Sequence, residues 1–171
     1  MSILIAAILS FLVTTLFGHV VHWSLHQTWS GAIHRSHMAH HLRLYPPSDF
    51  FSEVYRSAGK DSSPKFFLIA AIPLILAPVV LWFLGVFSLP VMITVLVMEG
   101  LMGFLHDYLH DAFHIKDHWL YRVYAIRRLF TRWVGIHYLH HVDMKSNFGI
   151  FTFMWDHIFR TFRNYVETDK K

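Results

Sequence analysis

Ten of the fifteen histidines in this chain fall into four short groups. The stretch "HWSLH" carries His22 and His26, and "HMAHH" carries His37, His40 and His41. "HDYLH" carries His106 and His110, and "HYLHH" carries His137, His140 and His141. On a helix, residues three and four apart share a face. HxxxH therefore aims two imidazoles one way, and HxxHH gathers three. Four such groups on separate helices can converge on one small volume. Ten imidazoles exceed what one metal ion coordinates and suit two ions, five rings apiece. Neutral imidazole serves zinc, copper, iron and nickel alike, so the spacing predicts two transition metals without naming them. No Glu-x-x-His pair is present, which separates the pattern from carboxylate-bridged di-iron bundles. The chain has no cysteine, so thiolate ligands and disulfides are excluded.

The runs between these groups define the elements that must hold them. Residues 3–18, "ILIAAILSFLVTTLFG", continue apolar through Val20 and Val21. Residues 66–87, "FFLIAAIPLILAPVVLWFLGVF", carry no charge. Residues 89–105, "LPVMITVLVMEGLMGFL", carry one, Glu99. A helix needs about 20 apolar residues to cross a bilayer core. The third run reaches that length by continuing into "HDYLH". Charged residues make up only 15% of the chain, against about a quarter in a soluble domain. All fifteen Lys and Arg lie in 22–65 or 106–171, and cytoplasmic segments hold the excess of such residues.

The expectation is an all-α integral membrane protein, multi-pass, one domain over 1–171. Three transmembrane helices would carry a cytoplasmic His-rich helical cap, with the N-terminus on the opposite side. Residues 1–21 read as a retained span, because no basic segment precedes the run and no small-residue cleavage site follows it. Pro73 and Pro78 should kink the second span, which membrane helices tolerate. Two histidine groups, at His22 and His106, begin where a span ends. The net charge of +4 is modest, and basic residues interleaved with apolar runs exclude a nucleic-acid partner.

Supporting residues can also be placed. Metal-bound histidines donate their other N–H to a carboxylate or carbonyl. Asp107, Asp111, Asp143 and Asp156 stand near the motifs as candidates. Glu99 precedes His106 by seven residues, on nearly the same helical face, and joins them as a candidate. Gly100 and Gly103 beside it should admit a neighbouring helix. His19, His34, His114, His118 and His157 are assigned to supporting, capping or surface positions. A straight helix drifts about 40° per four-residue step, which carries His118 off the face of His110. Residues 119–136, "WLYRVYAIRRLFTRWVGI", read as an interfacial amphipathic helix. Residues 45–64 read as a loop that lines an entrance or only connects.

The order HxxxH, HxxHH, HxxxH, HxxHH resembles the fatty acid hydroxylase/sterol desaturase superfamily of membrane di-iron oxygenases. The tail "NFGIFTFMWDHIFRTFR" is similar to that family's C-terminal signature of Asn-aromatic-Gly, Trp-Asp and Phe-x-Thr. The match runs from His22 to Arg163. It departs at His157, where relatives often carry a basic residue and then Gly before Thr. The resemblance implies two iron ions held by the ten motif histidines, with zinc as a substitute in purified material. It implies an enzyme that uses molecular oxygen to hydroxylate an unactivated C–H bond of a fatty acyl or sterol-type lipid taken from the bilayer. Lipid desaturation and carotenoid ring hydroxylation are alternatives on the same kind of site. A bis-histidine haem electron carrier is the non-enzymatic alternative, and it would leave the HxxHH doublets unexplained. No cytochrome b5-like segment lies among the 171 residues. Electrons are therefore expected from a separate donor of cytochrome b5 or ferredoxin type.

The charge pattern makes a direct prediction about topology. Reporters fused after residue 87 and after residue 171 should read opposite sides of the membrane. Both reading one side would remove a span from the count.

Overall fold

The computed structural model describes residues 2–54, 56 and 63–166, without the side chains of residues 63–68. Part of the segment expected to form a loop, 57–62, lies outside the described residues. The described chain is all-helical. Its only extended pairing, among the described residues, is an isolated bridge between Ser52 and Ile115. Six α-helices follow one another: α1 (Ile3–Leu25), α2 (Ala32–Ala39), α3 (Ser63–Phe83), α4 (Leu89–Ala112), α5 (Arg127–Val142) and α6 (Met154–Phe159). A π-helical turn, His40–Leu44, continues α2.

Two helices, α1 and α4, are long and apolar enough to cross a membrane. Ser2 starts α1 by accepting the Ile5 N–H at 3.3 Å through its hydroxyl. Pro90 stands in the first turn of α4, where its missing N–H costs no helical bond. The two helices run in the same direction. Near their N-terminal ends Ala6 packs with Val91 and Val95. One turn further, Ser10 Oγ donates to the Val95 carbonyl at 3.3 Å. Further along, Gly18 faces the His106 ring, with room for only 3.5 Å between a Cβ and that ring. α3 packs on both α4 and α1. It joins α4 through a short turn in which Gly85 takes φ 73°, a left-handed conformation that suits glycine. Pro73 and Pro78 both lie inside α3.

The main apolar core sits beyond the C-terminal end of α4. Leu109, Ala112 and Phe113 meet Leu120, Phe130, Val134 and Ile150 there. Phe130 packs against Tyr121 and Phe113, with ring centroids 4.8 and 5.7 Å away.

One expectation needs correcting. Residues 119–136 are not a single helix. A 3-10 turn at Trp119–Arg122 gives way to extended backbone at Val123, and α5 starts only at Arg127. The first half of α5 leaves Arg127, Arg128, Leu129 and Arg132 exposed, while its second half is buried. The segment is therefore split between surface and interior, because the three residues of its HxxHH motif must reach the centre of the molecule.

The Phe130 ring pairs with His118, which lies outside the metal groups. Truncating it should test the core alone. Phe130→Ala should lower stability by about 3 kcal/mol, read as a lower midpoint of thermal unfolding, with metal content unchanged at low temperature.

Candidate metal centre

The histidines converge at the C-terminal ends of α1 and α4. His22 lies in the last turn of α1, and His26 caps it. His37 lies in the last turn of α2, while His40 and His41 occupy the π turn. His110 lies near the end of α4, His114 just beyond it, and His137, His140 and His141 in the buried half of α5. Their ring nitrogens form groups compact enough to hold a metal ion. One contains His22, His26, His37, His41 and His140. The other two, His40, His110, His114 and His114, His137, His141, share His114 and bring together a further five rings. All these groups are histidine only.

The two HxxHH motifs are used in mirrored fashion. His37 and His41 serve the first group, while His40 turns to the second. His137 and His141 serve the second group, while His140 turns to the first. Adjacent helical residues diverge by about 100° around the axis. The terminal His-His pair can therefore reach two centres at once, and this is the mechanical reason for repeating the motif.

Electrostatics and hydrogen bonding set the state of these rings. Burial holds His37, His41, His114, His137, His140 and His141 well below the ordinary imidazole range, and the neighbouring imidazoles add to this. Burial also lowers His26 to about 3, helped by His34 and His40. These rings are neutral at pH 7, each with one N–H and one lone pair. His22 Nδ1 donates to the Phe148 carbonyl at 2.8 Å. His140 Nδ1 donates to the Ser146 carbonyl at 2.6 Å, and His141 Nδ1 to the Tyr45 carbonyl at 2.9 Å. A carbonyl can only accept, so Nδ1 carries the proton in all three and Nε2 presents a lone pair.

Those lone pairs meet other nitrogens. His26 Nε2 lies 3.0 Å from both His140 Nε2 and His37 Nε2, and His37 Nε2 lies 3.1 Å from His41 Nε2. His137 Nε2 is 3.2 Å from His114 Nε2. A ring nitrogen has one in-plane position, so three successive contacts through His26 and His37 cannot all be good hydrogen bonds. His22 Nε2, His110 Nε2 and His141 Nε2 are buried and bond to no group among the described residues. Cations held within the groups would take these lone pairs. Imidazole nitrogens bound at right angles, 2.0–2.1 Å from a common ion, stand about 3.0 Å apart. The donor set therefore fits a buried transition metal.

The C-terminal segment holds the carbonyls in place. The buried Asp156 carboxylate accepts the Phe148 N–H at 2.8 Å, the Gly149 N–H at 2.9 Å and the Thr161 hydroxyl at 2.8 Å. This fixes the loop whose Phe148 carbonyl orients His22. Gly149 allows it, since a Cβ there would clash with the Thr152 carbonyl oxygen. Asn147 ties the same loop to Ile136 and Arg163, accepting the Arg163 N–H at 2.8 Å. The Asp143 carbonyl accepts from Ser146 N–H and Oγ, at 3.0 and 2.9 Å, and so sets the carbonyl that holds His140. The first loop contributes too. Tyr45 stacks on His114 at 3.9 Å between centroids, and Ser52 N–H donates to the His114 carbonyl at 2.8 Å.

The remaining expected residues sort themselves by distance. His106 belongs to none of the metal groups and instead lines a cavity between the helices. The pair expected at His106 and His110 shifts one turn, to His110 and His114, because the cluster centres beyond the last turn of α4. The repeat "HDAFH" carries the same spacing as "HDYLH" and was the available signal. Asp107 is exposed and Asp111 half-buried, and neither joins a group. Glu99 lines the cavity rather than the cluster. His34 Nδ1 bonds the Leu25 carbonyl at 2.9 Å, a capping role. His19 lies between the Phe148 and Phe159 rings, 3.7 Å from Asp156. His118 stands next to Tyr108, and the exposed His157 stacks on Phe162.

The chain matches no known family model, no curated protein and no solved structure.

Two substitutions separate the geometric grouping from the sequence spacing. His114→Ala should reduce bound metal per chain, and His106→Ala should leave it unchanged, both read by elemental analysis. Asp156→Asn should weaken metal affinity by about 10- to 100-fold through the loosened Phe148 carbonyl. Full metal binding in the Asp156 variant would assign Asp156 to packing only.

Proposed function

We propose that this chain is a membrane-bound, two-metal oxygenase that hydroxylates an unactivated C–H bond of a lipid. The observation that carries the reading is an all-imidazole group of five rings next to two groups of three that share His114, set beside an apolar cavity between helices. Iron is the metal proposed, held by His22, His26, His37, His41 and His140 in one group. His40, His110, His114, His137 and His141 hold it in the two groups joined at His114. Two irons bound there would supply the oxidising power to break a C–H bond, with dioxygen as oxidant and a separate protein as electron donor. One oxygen atom enters the C–H bond and the other leaves as water, with two electrons and two protons from the donor side. Ring nitrogens 3.0–3.2 Å apart leave no space for a porphyrin between them, which counts against a haem carrier.

The chain's own residues define the setting. Phe148 lies edge-on to His22, His26 and His140, shielding the first group with an apolar ring. The cavity beside it gives the lipid a place to lie with one end at the rings. The resemblance in motif order and C-terminal signature supports the same class. A multi-pass arrangement with three spans is part of the proposal, and the parallel course of α1 and α4 supports it, since α3 must return between them. On α3, Ile69, Ile72, Leu76, Val80 and Phe83 are exposed. Such a contiguous apolar face belongs in lipid. The confinement of Lys and Arg to 22–65 and 106–171 favours a cytoplasmic histidine cap. Exposed Trp119, Tyr124, Arg122, Arg127 and Arg128 then form an interfacial belt.

The test is metal content followed by isotope labelling. Protein purified without chelators should contain two metal ions per chain, with zinc able to replace iron in overexpressed material. Iron-loaded protein supplied with reductant, labelled dioxygen and a membrane lipid extract should yield a lipid bearing one labelled oxygen atom. One metal per chain, or the intense visible band of haem, would overturn the reading.

A further inference from the structure

The cavity between α1, α3 and α4 encloses about 750 Å³, a size typical of sites that bury a whole small molecule. Phe17, Leu74, Ile75, Leu96, Met102 and Ile150 give it an apolar wall. His106 and Phe148 close the end that adjoins the metal groups. Away from the histidine end, polar atoms of α1 and α4 interrupt this apolar surface. Glu99 Oε2 and Thr14 Oγ1 both belong to lining residues, and both are buried with no bonding partner among the described residues. They stand at one level. The parallel register that sets Ser10 against Val95 and Gly18 against His106 puts Thr14 opposite the turn containing Glu99.

A carboxyl oxygen facing apolar surface without a partner is costly, and so is a buried unpaired hydroxyl. Two of them facing one apolar cavity call for a shared partner. The expected neighbouring helix does not supply it. A Cβ added at Gly100 or Gly103 would meet no atom within 4 Å, so these glycines open the cavity wall.

We propose that the cavity binds a long-chain lipid carrying a hydroxyl partway along its apolar body. Glu99 and Thr14 bond that hydroxyl, and the carbon presented at the His106 end lies about 10 Å away, the rise of seven helical residues. A hydroxyl both donates and accepts, so it pairs with a carboxyl group in either protonation state and with a threonine hydroxyl. An unsubstituted chain fills the same space and leaves both groups unpaired. The proposal shares its cavity with the oxygenase reading but needs neither metal nor turnover.

Binding alone therefore tests it. Full-length protein in detergent is equilibrated with equal amounts of ricinoleic acid, which bears a mid-chain hydroxyl, and oleic acid, the same chain without it. Native mass spectrometry then counts the bound lipid. Wild-type protein should favour ricinoleic acid about tenfold, the worth of one buried hydrogen bond. Glu99→Gln should keep the preference, because an amide also donates and accepts. Glu99→Leu should abolish it while retaining oleic acid, and Thr14→Val should reduce it without changing side-chain volume. Gly103→Leu should fill the cavity and weaken both lipids. Equal binding by wild-type protein, as expected if water satisfies the two groups, would overturn the proposal. So would a preference that survives Glu99→Leu, or, should that variant not fold, one unchanged in Thr14→Val. Absence of oxygenase turnover would leave this binding difference untouched.

Discussion

Ten imidazoles share one buried volume at the ends of α1 and α4, and lone-pair repulsion among them is the constraint the structure answers to. Burial keeps His26, His37, His41, His114, His137, His140 and His141 neutral, so protonation of these rings does not relieve the crowding. Each ring has one proton to give. Where His22, His140 and His141 give theirs outward to carbonyls, their inner nitrogens can only accept. A bound cation resolves this directly, and the protein's contribution is to hold the outer side rigid. For that reason two separate backbone segments, one at Tyr45 and one at residues 146–148, are folded around the cluster. The polar residues Asp143, Asn147 and Asp156 work on those segments rather than on the rings.

The same constraint accounts for the helix ends. A regular helix would point His37, His40 and His41 across one face. The π turn at His40–Leu44 widens that face just where two adjacent rings must part. At α5 an ordinary helical turn suffices, and the backbone beyond it bends at Asp143 to bring the Ser146 carbonyl back to His140.

Much of this was legible in the residues themselves. The runs at 3–18 and 89–105 are long and apolar, with Glu99 the one charge in the second, and local pattern determines such helices. Nine of the ten clustered rings follow from spacing alone. The exchange of His106 for His114 does not, because both stand one turn from His110 and tertiary contacts decide between them. Tyr45 and Ser52 hold His114 from a loop more than sixty residues away in the chain. The carbonyl acceptors were equally invisible, since a sequence lists side chains and not the directions of backbone oxygens. Gly100 and Gly103 misled for a related reason. Small residues permit close helix contact, and they also permit an opening, and only the packing of α3 distinguishes the two.

The clasp formed by residues 146–163 has a consequence for assembly. His22 is complete only when Phe148, 126 residues later, supplies its carbonyl. Closing so large a loop carries an entropic cost that must be met before its contacts form. During synthesis His22 emerges long before its outer acceptor exists. Any ion it captures then sits in an incomplete shell and exchanges freely. A metal-ready His22 thus belongs to the finished chain, and the C-terminal loop is its last-formed lock.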